Sequence, residues 1–300
     1  MKKIVLITGA NGMLAKQLAK ELNGEYTLRF LTRNVTQKNE YLWDLRNKFV
    51  DPKALTDLNY IIHLAGASVA EGRWTKKRKE TILSSRVDSA QLLFEVLKKQ
   101  RKTIDGFISA SATGYYGSIT SETIFNEESP KGNDFLSTVC DKWEAQALRF
   151  KSSSIAKRTA IVRIGIILSK NGGALKKMVP PIKYGIGSGI GLGNQYMPWI
   201  HIKDLCGIFK FILDTEELSG TFNGVAPEHI TNTELTKEIG NTINRKILFP
   251  NIPSFIIKIL FGKMAVILLE GSRVSSEKIS KVGYHFKFKK ANQALQHLLK

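Results

Sequence analysis

A chain of 300 residues with 43% hydrophobic content is long enough for one large α/β domain, or for a main domain with a smaller C-terminal lobe. Its 2 cysteines, Cys140 and Cys206, exclude a disulfide framework, and Met1-Lys2-Lys3 runs into a glycine turn too soon for a signal peptide, so a cytoplasmic protein with free thiols is expected. The formal charge of +19 is spread along the chain rather than gathered with aromatic residues, which predicts a solvated, lysine-rich surface that attracts anionic ligands, with neither nucleic acid nor membrane as a partner.

A first strand over Lys3 to Thr8 is followed by Gly9-Ala-Asn-Gly12-Met-Leu-Ala15 and a helical pattern from Leu14 to Leu22. Strand, tight glycine turn and helix N-terminus together make a phosphate-binding site, because backbone N–H groups point outward there and the helix dipole favours an anion. Gly9 permits the turn, Gly12 lets a pyrophosphate approach the backbone, and Ala15 lets the helix pack close to the strand. Further strands are predicted over Tyr26 to Leu31, Tyr41 to Trp43, Tyr60 to Leu64, Gly106 to Ala110 and Thr159 to Leu168. Helices are predicted over Lys76 to Gln100, with Leu83, Val87, Ala90, Leu93 and Val96 inward, and over Asp134 to Phe150. Nearly continuous apolar strands joined by helices indicate a parallel sheet covered on both faces.

The second half changes character near residue 170, giving an expected nucleotide-binding part over 1–170, whose sheet receives later strands, and a smaller lobe over 171–300. Glycines 185, 187, 189, 191 and 193 alternate with other residues in Tyr184 to Asn194, which reads either as a mobile lid or as a plain surface turn. Helices follow over Ile202 to Leu213 and Thr233 to Ile243, the latter capped by Thr231 or Asn232. Pro253 to Leu269 is the most apolar stretch, but Lys258, Gly262 and Lys263 interrupt it, so buried helices are expected there rather than a membrane span. Phe286 and Phe288 interleaved with Lys287 to Lys290 fit a half-buried strand.

The residue after the second strand decides the cofactor. A dinucleotide without a 2′-phosphate usually meets an acid about 20 residues past the glycines, but here Leu31-Thr32-Arg33-Asn34 offers the cationic fork of Arg33, which favours NADP(H). No cysteine–histidine spacing suggests a metal site, and neither a Gly-x-Ser-x-Gly elbow nor a Walker loop occurs.

Trp43-Asp44, His63-Leu64-Ala65-Gly66, Ser85-Arg86, Ser109 to Gly117, Trp143-Glu144, Pro198 to Ile202, Asn223 to Pro227 and Leu269-Glu270-Gly271 join the glycine turn in a pattern that spans nearly the whole chain. The pattern resembles the extended, epimerase-type branch of the short-chain dehydrogenase/reductase superfamily, and within it the atypical epimerase family proteins. That resemblance implies a Rossmann doubly wound parallel sheet with a small C-terminal α/β substrate lobe, a nicotinamide cofactor, and a homodimer through the long helices as one arrangement. It places Ala65-Gly66 beside the cofactor ribose and Asp44 near the adenine, with His63 filling a strand end. The expected cofactor contacts are Gly9, Asn11, Gly12, Met13, Leu14, Arg33, Asp44, Leu64, Ala65, Gly66 and Arg86.

The departure from the family concerns catalysis. The superfamily's Tyr-x-x-x-Lys pair, in which the lysine lowers the tyrosine pKa, occurs nowhere in the chain. Alignment through Glu144 puts Leu136 at the tyrosine position and Cys140 at the lysine position, with Lys142 turned away. Tyr115 or Tyr116, Ser111 beside Thr113, Cys140 and His201 are the groups left to act on a substrate; Tyr116, Ser111 and Cys140 are the expected catalytic set. The expected function is an NADP(H)-dependent oxidoreductase or epimerase-like enzyme for a small polar, sugar-related substrate; the alternative, favoured by the missing pair, is a protein that holds NADP(H) without turnover as a redox sensor or scaffold.

Overall fold

Apolar runs such as Ile4–Thr8 and Tyr60–His63 have no polar face to offer water, so they must be covered on both sides. In the computed structural model, which describes residues 2–300, they form the middle of an eight-stranded sheet. In chain order the elements are β1 (Ile4–Thr8), α1 (Met13–Leu22), β2 (Thr27–Thr32), β3 (Glu40–Asp44), β4 (Phe49–Val50), β5 (Tyr60–His63), α2 (Lys76–Lys99), β6 (Ile104–Ala112), β7 (Ile124–Phe125), α3 (Phe135–Ser152) and β8 (Ala156–Ile164). They continue with β9 (Ile166–Ser169), α4 (Gly173–Lys183), β10 (Trp199–His201), α5 (Ile202–Asp214), β11 (Gly220–Gly224), α6 (Asn232–Thr242), α7 (Ser254–Phe261), α8 (Val266–Leu269), β12 (Arg273–Val274), α9 (Glu277–Lys281) and α10 (Ala291–Leu299).

The sheet order is β11-β8-β6-β5-β1-β2-β3-β4, and only the β3–β4 pair is antiparallel. Successive strands leave β1 in opposite directions, toward β2 on one side and β5 on the other. This is the switch point at which an open α/β sheet has its crevice. Side chains alternate with period two. Val5 and Ile7 of β1 pack with Leu18 of α1 and Leu205 and Phe209 of α5, whereas Leu6 points to the layer of Leu93 in α2 and Phe150 in α3. A separate core of Leu168, Trp199, Leu235, Ile239 and Leu295 holds the later helices together. β11, far along the chain, returns to pair with β8, so the sheet draws on both halves of the sequence.

Several sequence expectations change. The strand expected over 159–168 breaks at Gly165 into β8 and β9, and β9 pairs with β10 in a sheet of its own. A Cβ at Gly165 would lie 2.1 Å from the Pro198 carbonyl oxygen, so the break needs a residue without one. α2 buries a wider stripe than predicted, including Ile82, Ser89, Leu92 and Leu97, because it packs against both the sheet and α3. The Phe286–Lys290 segment is not a strand. Its backbone N–H groups at Lys287 and Phe288 donate to the buried Asp204 carboxylate at 2.7 and 3.0 Å, which replaces a neighbouring strand. Thr231, not Asn232, caps α6, in a reciprocal capping box with Glu234.

The glycine-rich run is anchored rather than free. Ile252 N–H donates to Gly189 O and Gly191 N–H to Ile252 O, both at 2.9 Å, and Thr233 N–H donates to Gly193 O at 3.0 Å. Close approach explains the composition: a Cβ at Gly189 would fall 2.3 Å from Asn251 Oδ1, and one at Gly187 2.5 Å from Ile182 Cγ1. Of the two sequence readings, the turn fits this geometry and the lid does not.

Gly165→Ala tests the break between β8 and β9. The added methyl meets backbone rather than a movable side chain, so a loss of about 2–3 kcal/mol is expected. A thermal midpoint within a degree or so of the parent would contradict this.

Candidate dinucleotide site

The site begins at the carboxyl end of β1. Gly9 has φ +70°, a left-handed conformation that glycine adopts freely, and a Cβ there would lie 2.8 Å from the Leu64 carbonyl oxygen. The turn closes with Gly12 N–H donating to Gly9 O at 2.8 Å. Gly12 is the N-cap of α1, no side chain caps the helix, and its first turn carries no acid. The first-turn N–H groups at Met13 and Leu14 therefore point their partial positive charge into the crevice, with Asn11 beside them. Ala15 is buried where α1 meets the sheet.

The second wall is the Leu64-Ala65-Gly66 segment after β5, held by a chain of hydrogen bonds. The N–H groups of Leu64 and Ala65 donate to Thr8 Oγ1 at 3.0 and 3.1 Å. The Ser89 hydroxyl donates to the α2 carbonyls of Ser85 and Arg86 at 2.8 and 3.0 Å, so it accepts from His63 Nε2 at 3.1 Å. His63 Nδ1 is then the acceptor for Thr8 Oγ1 at 3.0 Å. Burial pushes the imidazole down to about 4, so it is neutral in the folded protein. His63 fills a strand end and ties three elements together.

Arg86 of α2 supplies a cation at this wall. Its guanidinium carbon lies 3.0 Å from where a Gly66 Cβ would be, its ring-stacked partner is Trp143 at 5.1 Å, and Nη1 donates to Ile82 O at 2.8 Å. Arg33 is exposed just beyond β2. Leu31 pairs with Thr8, so Arg33 follows the strand end adjacent to the glycine turn. Thr32 fixes this exit by accepting from Asn34 N–H at 3.3 Å. Asp44 lies a strand farther out, and its carboxylate accepts from Arg46 N–H and the Asn47 amide, both at 2.8 Å, which closes the β3–β4 turn and lowers its pKa.

α3 presents Leu136 and Cys140 to the turn after β6: a Cβ at Gly114 would lie 3.3 Å from Leu136 Cβ and 3.9 Å from Cys140 Sγ. Lys142 is exposed on another side of the helix. Burial, reinforced by the Glu144 charge, pushes the Cys140 thiol up to about 12, so it stays protonated and is not a nucleophile near neutrality.

The groups expected to do chemistry sit instead in a buried polar network. Arg163 of β8 makes a two-pronged ion pair with Glu144 of α3, Nε to Oε1 at 2.9 Å and Nη2 to Oε2 at 2.8 Å. Burial opposes the guanidinium charge, but the bonds and charge of Glu144 hold its pKa above the ordinary arginine value. Ser111 donates to Glu144 Oε1 at 2.6 Å. Tyr116, only 3% exposed, gives its proton to Asn223 Oδ1 at 2.7 Å and accepts from Arg163 Nη1 at 3.1 Å. Burial pushes the phenol up to about 12. The expected role of Tyr116 as a donor to substrate is therefore corrected: its single proton is already committed inside the protein, and Ser111 is committed in the same way. Tyr115, half-buried with Arg163 stacked 3.4 Å above its ring, is the phenol nearer solvent. His201 caps α5 by accepting from Lys203 N–H at 3.0 Å, and burial followed by His297 pushes it down to about 3.

Sequence reasoning missed Gly172 and Gly173, which start α4 against the glycine turn; a Cβ at Gly172 would lie 2.8 Å from Met13 Sδ. The Gly-Gly pair ahead of a helical pattern was the available signal. Among the described residues no His/Cys/Asp/Glu cluster could hold a metal ion.

A parallel sheet with an uncapped helix and a glycine turn at its switch point defines a Rossmann-type nucleotide-binding protein. Residues 5–141 match the model of the NAD dependent epimerase/dehydratase family, and residues 252–298 match a domain of unknown function, DUF1731. An epimerase family protein of Staphylococcus aureus (strain NCTC 8325 / PS 47) is 34% identical over 99% of both chains, and the human epimerase family protein SDR39U1 is 31% identical over 98% of this chain and 99% of its own. The crystal structure of human SDR39U1 (isoform 2) with NADPH superposes with a TM-score of 0.88 at 30% identity, covering 98% of each chain. A nucleoside-diphosphate sugar epimerase from Corynebacterium glutamicum gives 0.81 at 27%, covering 100% of this chain and 58% of its own. This chain belongs to the epimerase family proteins of the NAD dependent epimerase/dehydratase family.

Two outcomes are expected from the buried polar groups. Between pH 6.5 and about 4 the unfolded chain takes up a proton at His63 that the folded chain refuses, so stability should fall as pH drops through that window. The contribution is on the order of 3 kcal/mol. His63→Gln, which keeps a donor and an acceptor, should shrink the stability difference between pH 7.5 and pH 4.5 in denaturant melts; an unchanged difference would count against it. Glu144→Ala leaves the Arg163 charge buried and should cost about 3–5 kcal/mol. Ser111→Ala should cost about 1 kcal/mol. Equal effects of the two variants in urea unfolding would contradict the ion-pair account.

Proposed function

We propose that the protein binds NADP(H) across the β1–α1 turn and holds it without the superfamily's tyrosine–lysine relay, as a redox sensor or scaffold. The carrying observation is the pairing of an intact cradle with an apolar Leu136 and a protonated Cys140 where that relay would sit. The cradle fits the group: a Cβ at Gly9 would strike the opposite wall, α1 opens with uncapped donors, and Arg33 follows the adjacent strand end. Asn11, Gly12, Met13 and Leu14 would receive the pyrophosphate, Arg33 the 2′-phosphate, and Leu64, Ala65, Gly66 and Arg86 would line the ribose side, with Asp44 toward the adenine. The human relative crystallised with NADPH supports the same cofactor. A nicotinamide supplies hydride transfer when bound. Of the groups expected to act, Tyr116 and Ser111 already donate their protons inside the protein and Cys140 is held protonated, which supports binding without turnover.

The second reading is an oxidoreductase or epimerase-like enzyme for a small polar, sugar-related substrate. Tyr115, the half-buried phenol under Arg163, and the likeness to a nucleoside-diphosphate sugar epimerase favour it. Stopped-flow fluorescence of bound NADPH separates the two readings. Bound NADPH should persist when nucleotide sugars or small carbonyls are added; substrate-dependent decay abolished by Tyr115→Phe would establish the enzyme.

Cofactor choice gives a sharper prediction. A charge-assisted bond to phosphate contributes roughly 1.5–3 kcal/mol, or about 10- to 150-fold in affinity. Arg33→Ala should weaken NADPH binding by that factor and leave NADH binding little changed. Calorimetry with equal NADPH and NADH affinities in the parent protein would refute the assignment.

A further inference from the structure

Helix α7, Ser-Phe-Ile-Ile-Lys-Ile-Leu-Phe, is apolar on almost every side, yet it buries only Ile257. Phe255, Ile259 and Leu260 are 62%, 66% and 59% exposed. At about 100° per residue these three fall within one arc of about 140°, with Phe255 and Ile259 farthest from Ile257 and Leu260 at the edge nearer to it. The chain leading into the helix also exposes Leu248 and Phe249. Part of the interruption-rich stretch expected to be buried thus faces outward. Arg73 holds it so: its guanidinium donates to the carbonyls of Ile259 and Leu260 at the helix C-terminus.

The stretch of sequence that carries this face holds charge of one sign. Between residues 239 and 269 there is no Asp or Glu, while Arg245, Lys246, Lys258 and Lys263 are all exposed. A helix with large exposed apolar side chains marks a contact surface rather than ordinary surface scatter. A second copy of this chain would bring the same cations, on a molecule of net charge +19, against themselves. The complementary occupant is apolar beneath and anionic at its surface.

We propose that this face docks on the surface of an anionic phospholipid bilayer. Phe255, Ile259 and Leu260 enter the boundary between headgroups and acyl chains, and the four cations meet the headgroups. Among the described residues no helix is long and apolar enough to cross a membrane, so α7 lies in the plane of the surface. The docking uses none of the groups assigned to the dinucleotide, so the two proposals stand or fall separately.

Co-sedimentation of the full chain with phosphatidylcholine vesicles containing about 30% phosphatidylserine tests it, with pure phosphatidylcholine vesicles as the reference. The parent should bind the mixed vesicles at low salt and lose binding as salt screens the charge. Phe255→Glu with Ile259→Glu should weaken binding at least about tenfold. Lys98→Glu at the end of α2, the same change in net charge away from this face, should leave it within about twofold. Phe255→Ser provides the same readout at a single exposed position should the double variant not fold. No binding by the parent, or a folded Phe255→Ser protein binding as tightly as the parent, would overturn the proposal. So would a dimer seen in analytical ultracentrifugation that the double variant dissolves while vesicles bind neither protein; that result would give the face to a second copy.

Discussion

The approach of two strand ends is the constraint on which the site depends. β1 and β5 run side by side, and beyond them Gly9 and the Leu64 carbonyl come so close that a Cβ at Gly9 would sit 2.8 Å from that oxygen. Bringing two backbones together there strands N–H groups that must find partners. Thr8 Oγ1 meets that need by accepting from Leu64 and Ala65, and His63 accepts from Thr8 in turn. The last link, Ser89, belongs to α2, so the same chain of bonds sets the height of the helix that carries Arg86. A neutral imidazole is required throughout, because a protonated ring would present Nδ1–H to Thr8, whose hydroxyl proton would then lose its acceptor.

The rest of the crevice is notable for where its polar groups point. Glu144, Arg163, Ser111, Tyr116 and Asn223 make a continuous network, but it lies inside the protein and satisfies itself. Such a network is costly when incomplete and position-fixing when complete. Here it joins α3, the ends of β6 and β8, and β11, which returns from late in the chain. Its role is to fix the carboxyl edge of the sheet. Residues that resemble catalytic ones by type and spacing are thus tied into this network, while α3 turns Leu136 and Cys140 toward the Gly114 turn.

Local signals made much of this legible. Apolar runs revealed the central strands, the glycines revealed the turn, and Glu144 gave the register of α3, which set Leu136 and Cys140 at the positions of the family's tyrosine and lysine. The start of α6 was legible to within one residue, since Thr231 and Asn232 both offered a cap and the structure uses Thr231. What stayed hidden depends on partners distant in sequence. Nothing near Tyr116 says that Asn223 will take its proton, and nothing near Phe286 says that the Asp204 carboxylate will bind the backbone and remove the need for a strand. The glycines of 185–193 read as freedom because their reason, contact with Asn251, Thr233 and Ile182, lies elsewhere in the chain. Pro253 to Leu269 was apolar enough to predict burial, but the sequence could not say that one side of α7 would lack a cover.

The excess of positive charge is best understood through what it does not do. Apart from Arg163–Glu144, the ion pairs among the described residues involve at least one partner that is a quarter or more exposed, and such pairs add little to stability. The fold is held by apolar burial on both faces of the sheet and by the separate core of the later helices. Mutual repulsion among 45 cations facing 26 anions therefore costs stability without an offset from surface pairing. A charge balance of that kind is understandable if it acts on ligands instead, drawing phosphates toward Arg33 and the open end of α1. The acid-free stretch that contains α7 sharpens the point, since there exposed cations and exposed hydrocarbon share one segment of chain, and neither solubility nor phosphate capture calls for that combination.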